Sequence, residues 1–360
     1  MRVRITLRRV IAGLAGIGLA GLLFAWSGLL QVSASSGHWR VTDWFLHFVM
    51  RSSVRTHALF EEIPQNSAAS PGDEALVSAA GHYAQACAVC HGAPGVAPSP
   101  VMQAATPPAP DLARTAGEWN DRELFWIVRH GVKYTGMPAW PADRPDEVLA
   151  MVAFVRTLPT MSPGRYRALT GAVITHSNVQ AGPANIRSAL SGCIACHGSD
   201  GLGRGQGDIP ILAGQSFAYL RRALLDFQGG NRPSAVMAVA VRTLSRADID
   251  AFAAYFAALP GLRRAPSKTS GLLTHGDPER QLPACMSCHG VGKSGPLLAG
   301  QKPAYVATRL RQWRSDTATV DAYKSQATMA VIARRIPDED IDQIAKSLVI
   351  DAAEAGPGGR

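Results

Sequence analysis

Three short segments of the chain each contain two cysteines three positions apart, with a histidine directly after the second cysteine. The segments are CAVCH at 87–91, CIACH at 193–197 and CMSCH at 285–289. Two thiols at this spacing can bond to two vinyl groups along one porphyrin edge, and the adjacent imidazole then reaches the iron. The spacing therefore predicts three covalently attached c-type haems. The predicted attachment residues are Cys87, Cys90, Cys193, Cys196, Cys285 and Cys288, and the predicted iron ligands are His91, His197 and His289.

Other uses of paired cysteines fit less well. A thioredoxin-like redox motif requires a βαβ context, and little of this sequence has the pattern of β-strands. A zinc site needs four ligands, usually as two close pairs, whereas these pairs are about a hundred residues apart along the chain. All six cysteines lie in the three segments, so none remains for a structural disulfide.

A second axial ligand can be sought by elimination. Met237 is the only methionine between His197 and Pro260, and it follows His197 by 40 residues. Met329 follows His289 by the same interval. Its rival in that region, Met286, sits between the two haem cysteines and is too close to reach the other face of the ring. Met237 and Met329 are therefore the predicted ligands, although a lone methionine is otherwise ordinary core filler.

The first region leaves more alternatives open. The sequence TGMPAW places Met137 46 residues after His91, and we predict that Met137 is the ligand. Met102, Met151 and His130 remain competitors. The other histidines have no assigned role and are expected at surfaces or interfaces; they are His38, His47, His57, His82, His176 and His275.

Each region ends in a predicted amphipathic helix. Ser245 precedes the second of these, with Asp248 three positions later as in a capping box. Pro145 and Pro337 open the first and third helices. The second and third regions also repeat each other, since PILAGQSFAYL at 210–220 matches PLLAGQKPAYV at 296–306. The chain is thus expected to contain one single domain followed by a duplicated pair.

The predicted divisions of the chain follow from these patterns. They are a basic cytoplasmic segment at 1–9, a transmembrane anchor or signal at 10–32, an amphipathic juxtamembrane segment at 38–58, unit 1 at 74–160, unit 2 at 186–262 and unit 3 at 277–350. Proline- and glycine-containing linkers separate the units. The linker at 159–185 would let the duplicated pair extend away from unit 1, and the alternative is a single compact body.

The N-terminus has the composition of a membrane anchor. Four arginines precede an uncharged apolar run from Val10 to about Leu30, long enough to span a bilayer. A signal-peptide core is usually shorter, at about 7–15 residues, although Val-Ser-Ala at 32–34 leaves cleavage open. Either alternative exports the rest of the chain. We expect a single-pass inner-membrane protein with its haem domains in the periplasm.

The segment 38–58 mixes tryptophan and phenylalanine with arginine and histidine. It is expected to lie in the headgroup layer, and the alternative is a docking surface for a membrane partner.

The net charge of +9 gives no indication of nucleic-acid binding. Residues 1–60 contain seven arginines and a single acidic residue, Asp43, and so account for +6 of this charge. The exported remainder carries only +3, without a basic patch.

These motifs together resemble the class I cytochrome c family over roughly residues 74–350. Residues 186–350 resemble diheme cytochromes c, and unit 1 is similar to cytochrome domains of terminal oxidases and of periplasmic dehydrogenases. The resemblance implies an all-α fold of three tandem domains, each around one covalent haem. It also implies that a proline carbonyl orients each proximal histidine, which by position corresponds to Pro110, Pro210 and Pro296.

The expected function is electron transfer rather than catalysis. Histidine–methionine ligation closes both axial positions and raises the potential of the iron. We expect electron exchange with a terminal oxidase, with a dehydrogenase complex as the alternative, and with a soluble redox carrier. A peroxidase-type enzyme is a weaker alternative, because it needs an open axial position.

Overall fold

The computed structural model describes residues 6–29, 32–33, 37–63, 73–171, 187–204, 207, 209–262, 271–315 and 327–348. Within these ranges the protein is helical, and its extended pairing is limited to two isolated bridges, Ala93 with Val96 and Asp277 with Leu282. The all-α fold predicted from the sequence is confirmed.

Two long helices precede the three units. Helix α1 spans Leu7–Trp26, and its side chains are exposed along its whole length. Its 20 residues correspond to about 30 Å, and among the described helices it is the one long and apolar enough to cross a membrane. Helix α2 spans Arg40–Ala58 and packs against unit 1 through Val54 and Ala58.

Unit 1 is built around the largest of the described hydrophobic cores. Its helices are α3 (Asp73–His82), a π-helical turn (Tyr83–Cys87), α4 (Ala88–His91), α5 (Pro100–Gln103), α6 (Leu112–Thr115), α7 (Asp121–His130), α8 (Pro145–Thr157) and α9 (Pro163–Leu169). The predicted closing helix, α8, packs on both α3 and α7. Helix α9 lies beyond residue 160, yet its Leu169 is buried in the same core. The linker that follows unit 1 is therefore partly ordered against it.

Units 2 and 3 each have a core of their own. Unit 2 contains α10 (Arg187–His197), α11 (Phe217–Gln228), α12 (Ala235–Val241) and α13 (Arg246–Ala258). Unit 3 contains α15 (Cys285–His289), α16 (Pro303–Ser315), α17 (Ala327–Arg335) and α18 (Asp338–Ser347), preceded by the short α14 (Gly271–Thr274). The predicted capping box is present, since Ser245 and Asp248 exchange side-chain and backbone hydrogen bonds at the start of α13.

The duplicated units meet through a reciprocal pair of glutamines. Gln215 accepts from the Leu297 backbone N–H at 2.9 Å and donates to the Leu297 carbonyl at 3.2 Å. Gln301 makes the matching pair of bonds with Ile211, at 2.9 and 3.1 Å. Both glutamines are buried. Because each residue occupies the equivalent position in its repeat, the interface is self-complementary, as in a two-fold dimer.

Unit 1 also packs against this pair. Ile209 of unit 2 is buried in the core of unit 1, and the Arg204 guanidinium donates to the Ala168 carbonyl at 2.7 Å. Gln312 of unit 3 donates to the Asp146 carboxylate of unit 1 at 2.7 Å. The three units thus form one packed body, and the extended arrangement that the linker would have allowed is not adopted.

Replacing Gln215 with leucine tests the reciprocal interface. The variant Gln215→Leu leaves the buried N–H and carbonyl of Leu297 without their partner, at a cost of roughly 1–3 kcal/mol for each unpaired group. We expect the urea unfolding midpoint of the holoprotein to fall. Gln343→Leu, at an exposed position of α18, is the matched control and should leave the midpoint unchanged. Equal effects of the two substitutions would contradict a structural role for the glutamine pair.

Candidate functional site

Each Cys-x-x-Cys-His segment occupies the end of a helix. Helices α4, α10 and α15 end at His91, His197 and His289. A glycine follows each histidine, and at the first site Gly92 has a φ of 73°, a left-handed conformation that favours glycine. A Cβ at Gly92 would lie 2.8 Å from the Val96 carbonyl oxygen. The chain can therefore turn sharply directly after the histidine.

The first site is braced by an aromatic residue from the π-helical turn. Tyr83 is buried, and its hydroxyl donates to the Gly92 carbonyl at 2.8 Å. Its ring packs on Phe154 of α8 at 5.2 Å between centroids. A π-helical turn is rare and concentrates at functional sites, and this one ends at Cys87. The turn thus places the first cysteine of the segment against the core of unit 1.

All three histidines contact the carbonyl of a downstream proline through Nδ1. The distances are 2.8 Å from His91 to Pro110, 3.4 Å from His197 to Pro210 and 2.9 Å from His289 to Pro296. A carbonyl oxygen only accepts, so Nδ1 is the donor at each site. The Nε2 atom is then left without a proton and can donate its lone pair to a metal.

The surroundings keep these imidazoles neutral. Burial lowers the pKa of His197 to about 4; the hydrogen bond to Pro210 opposes this shift, and the nearby charge of Lys302 adds to it. Burial also lowers the pKa of His91 and of His289, against the effect of the proline carbonyl in each case. A neutral imidazole is the form that binds a transition metal.

The third site has a visible cavity. A pocket of about 390 Å³ is lined by Cys285, Cys288, His289 and Met329 together with apolar side chains that include Trp313 and Ile336. A covalently attached haem requires two thiols that can bond to the porphyrin, and an imidazole and a thioether that can bind the iron, around an apolar cavity. The residues present therefore fit this cofactor, and the structure brings Met329 to the same cavity as His289.

Each of the other two predicted methionines is held in a defined backbone segment. Met137 is half-buried; its N–H donates to the Thr135 hydroxyl at 3.1 Å, and its carbonyl accepts from Val132 N–H at 3.2 Å. Met237 is half-buried in α12, and its N–H donates to the Ser234 hydroxyl at 3.2 Å. Both segments are thus fixed through their main chains.

The competitors of Met137 have other surroundings. Met151 of α8 is buried in the hydrophobic core, and Met102 lies in the short α5. His130 is 43% exposed, with Nε2 3.2 Å from the Glu61 carboxylate. Met137 therefore stays the predicted ligand of the first site.

One buried polar pair was not found from the sequence. His82, expected at a surface or interface, is buried at 4% exposure and packs on the Trp140 ring at 4.8 Å. Its Nδ1 and the Trp140 Nε1 have no hydrogen-bond partner among the described residues. Burial lowers the pKa of His82 to about 4. His82 is therefore not at the surface, because residues from distant parts of the chain cover it.

This buried histidine predicts an acid-sensitive contribution to stability. The pKa of His82 is about 4 in the folded chain and about 6.5 when unfolded, so protons bind the unfolded state more tightly. The free energy of unfolding should fall as the pH decreases from 6.5 to 4, by up to roughly 3 kcal/mol from this residue. His82→Leu should remove that part of the acid sensitivity. Unfolding curves at pH 7, 5.5 and 4.5 measure it.

The matched control is His38→Leu, which alters an exposed histidine and should keep the acid sensitivity of the unmodified protein. A His82→Leu variant with an unchanged pH dependence would contradict the burial of a neutral imidazole.

Comparison with known proteins finds relatives that carry c-type cytochrome names or descriptions. Residues 74–155 match the family described as "Cytochrome C oxidase, cbb3-type, subunit III". The "Thiosulfate dehydrogenase electron acceptor" of Thiomonas intermedia is 34% identical over 169 residues, which cover 43% of this chain and 76% of the relative. "Cytochrome c4" of Pseudomonas aeruginosa is 33% identical over 190 residues, covering 49% of this chain and 90% of the relative. A solved cytochrome c4 of Acidithiobacillus ferrooxidans is 26% identical, covers 44% of this chain and 96% of that chain, and has a TM-score of 0.37.

The relatives identify the cofactor that suits these sites. Proteins of this kind carry covalently bound haem c, and three complete attachment segments account for three haems here. The relatives are electron carriers or electron acceptors rather than catalysts, and the chain is an electron-transfer protein of the same kind. The chain belongs to the cytochrome c family, with three haem-binding segments on an all-α fold.

Proposed function

We propose that the protein is a membrane-anchored, periplasmic triheme cytochrome c that carries electrons from a dehydrogenase to a terminal oxidase. The observation that supports this most is a histidine whose Nδ1 contacts a proline carbonyl, repeated three times within one packed body. The histidine is buried at the second and third sites and half-buried at the first. A haem held by a histidine and a methionine would supply the exchange of single electrons without binding a substrate.

The proposed ligands complete each site. His91 with Met137, His197 with Met237 and His289 with Met329 would hold the three irons, and the paired cysteines would bond to the porphyrin edge. The proline carbonyls of Pro110, Pro210 and Pro296 orient the three imidazoles. The protein's own contribution is to bury these side chains, exclude water and fix the ring orientations, which lowers the reorganisation that accompanies electron exchange.

Helix α2 supports a location of unit 1 at the membrane surface. Arg51 pairs with Glu118, and His57 stacks on Trp126 of α7 at 5.9 Å between ring centroids. Another part of the helix surface stays exposed and apolar, including Trp44 and Phe48. Because α2 follows the candidate membrane helix α1 closely in the chain, this exposed side suits the headgroup layer, where tryptophan is enriched.

The proposed partners follow from the relatives. A family described as a cbb3-type oxidase subunit matches unit 1, which supports delivery of electrons from unit 1 to a terminal oxidase. Relatives named as electron acceptors of thiosulfate dehydrogenase support a donor that oxidises an inorganic sulfur compound. With such a donor, the dehydrogenase supplies the electrons and the terminal oxidase receives them. The electrons enter through the duplicated pair, units 2 and 3.

The ligand assignments predict three equal spectroscopic losses. Met137→Leu, Met237→Leu and Met329→Leu should each remove about a third of the near-infrared methionine–iron charge-transfer band of the oxidised protein. The control is Met151→Leu, a change of similar volume in the core, which should leave the band intact. A substitution that leaves the band whole removes that methionine from the ligand set.

The partner assignment predicts reduction by a sulfur-compound dehydrogenase. Oxidised full-length protein in membrane vesicles should be reduced when thiosulfate and a purified thiosulfate dehydrogenase are both added, as followed in the haem absorption bands. Vesicles given thiosulfate without the dehydrogenase are the control and should stay oxidised. Reduction by a quinol-linked complex alone, with no response to the dehydrogenase, would contradict the proposed donor.

A further inference from the structure

The second haem site contains a contact from the neighbouring unit. Glu147, in the first turn of α8 in unit 1, accepts from the Ser234 hydroxyl at 2.6 Å and from the Ala235 backbone N–H at 2.8 Å. The Glu147 side chain is only 10% exposed. Both donors belong to unit 2 and lie immediately before Met237. The carboxylate therefore accepts two hydrogen bonds from the segment that carries the proposed methionine ligand.

Ser234 passes this contact on to Met237. Its hydroxyl donates to Glu147 and at the same time accepts from the Met237 backbone N–H at 3.2 Å. Ser234 is itself buried. A hydroxyl that donates and accepts in this way has its orientation set by both partners. The position of the Met237 main chain is therefore linked to a side chain of another unit through a single intervening residue.

Charged groups hold Glu147 in this position. The Arg144 guanidinium lies 3.5 Å from the Glu147 carboxylate and donates to the Pro233 carbonyl at 3.1 Å. It also makes a bidentate pair with Asp146, at 2.8 and 2.7 Å. Burial alone would raise the pKa of Asp146, but its hydrogen bonds with Arg144 and the charge of Arg144 lower it. Asp146 therefore stays ionised beside Arg144, and both Arg144 and Glu147 contact the segment 233–235 of unit 2.

Unit 1 also contacts other parts of the second site. A Cβ on Gly81 of α3 would lie 3.1 Å from the Cys196 sulfur, so the helix passes directly over the attachment segment. Ile209, buried in the core of unit 1, precedes Pro210, whose carbonyl contacts His197. The cysteine, proline and methionine segments of this one site are thus all in contact with unit 1.

We infer that Glu147 is a positioning residue for the methionine side of the second haem site, so that the redox properties of the middle haem depend on docking by unit 1. This inference rests on the proposed role of Met237 as an iron ligand. Two effects follow from the contact. The hydrogen bonds keep the Met237 segment in place, and the carboxylate, partly offset by Arg144, favours the oxidised over the reduced iron by Coulomb attraction.

Two substitutions of Glu147 separate the effect of its hydrogen bonds from the effect of its charge. Glu147→Ala removes both hydrogen bonds, so imidazole should displace the methionine of one oxidised haem with roughly tenfold higher affinity. Glu147→Gln retains an acceptor oxygen but no charge, so it should largely restore resistance to imidazole. Both variants should raise the midpoint potential of one haem and leave the other two unchanged. Imidazole titration and spectroelectrochemistry of the full-length holoprotein measure these effects.

Further variants identify the haem concerned and guard against misfolding. Ser234→Ala should reproduce the imidazole effect of Glu147→Ala without altering a charge. Glu118→Ala removes a carboxylate of unit 1 that pairs with Arg51 instead, and it should change neither measurement. In a Met237→Leu background, Glu147→Ala should have no further effect on imidazole binding. Far-UV circular dichroism of each variant confirms that the helices are retained.

The outcomes distinguish this inference from the ligand assignment. If Met237→Leu leaves the charge-transfer band whole, the assignment of Met237 is wrong and the inference is wrong with it. If Met237→Leu removes a third of the band but Glu147→Ala changes neither imidazole affinity nor any potential, the inference alone is overturned. A change confined to the haem whose charge-transfer band disappears in Met137→Leu would also overturn the inference, because the affected site would then belong to unit 1.

Discussion

The hydrogen bond from a histidine Nδ1 to a proline carbonyl is the interaction on which each haem site depends. It occurs three times, although the proline follows the histidine by 19, 13 and 7 residues. A buried imidazole needs a partner for its N–H, and a carbonyl meets that need while fixing the ring plane and the tautomer. The loops between histidine and proline can vary in length because only their two ends are constrained.

The covalent cofactor and the fold depend on each other in such small units. A domain of fewer than about a hundred residues buries limited apolar surface from its own side chains. The cavity at the third attachment segment is lined by α16, α17 and α18 and also by α11 of unit 2, so an apolar group that filled it would stabilise the packing of these helices. The attachment segment thus contributes to the core as well as to chemistry.

The three units contact one another and are not independent modules. The glutamine pair joins units 2 and 3 with equivalent residues, whereas unit 1 meets unit 2 through unlike elements, including Glu147 and the turn at Ser234. Unit 2 therefore contacts both neighbours.

The sequence by itself determined the features that depend on neighbouring residues. The two cysteines and the histidine of each segment act through positions on one helical turn, so their chemistry follows from spacing alone. The capping box at Ser245 and Asp248 and the amphipathic closing helices are equally local, and their helical positions are confirmed. Boundaries were less well determined, since Leu169 and Leu273 pack into cores beyond the predicted limits of units 1 and 3.

Only the tertiary structure decided which residues meet across units. His82 gives no sequence signal of burial, because Trp140 reaches it from 58 positions further along the chain. Glu147 has the pattern of an ordinary acidic residue in the first turn of a helix, and its contact with Ser234 spans 87 positions. Such contacts have no periodicity or fixed spacing, since they arise from the relative placement of whole helices. The physical reason is that local propensities specify elements, whereas docking depends on complementary surfaces assembled from distant segments.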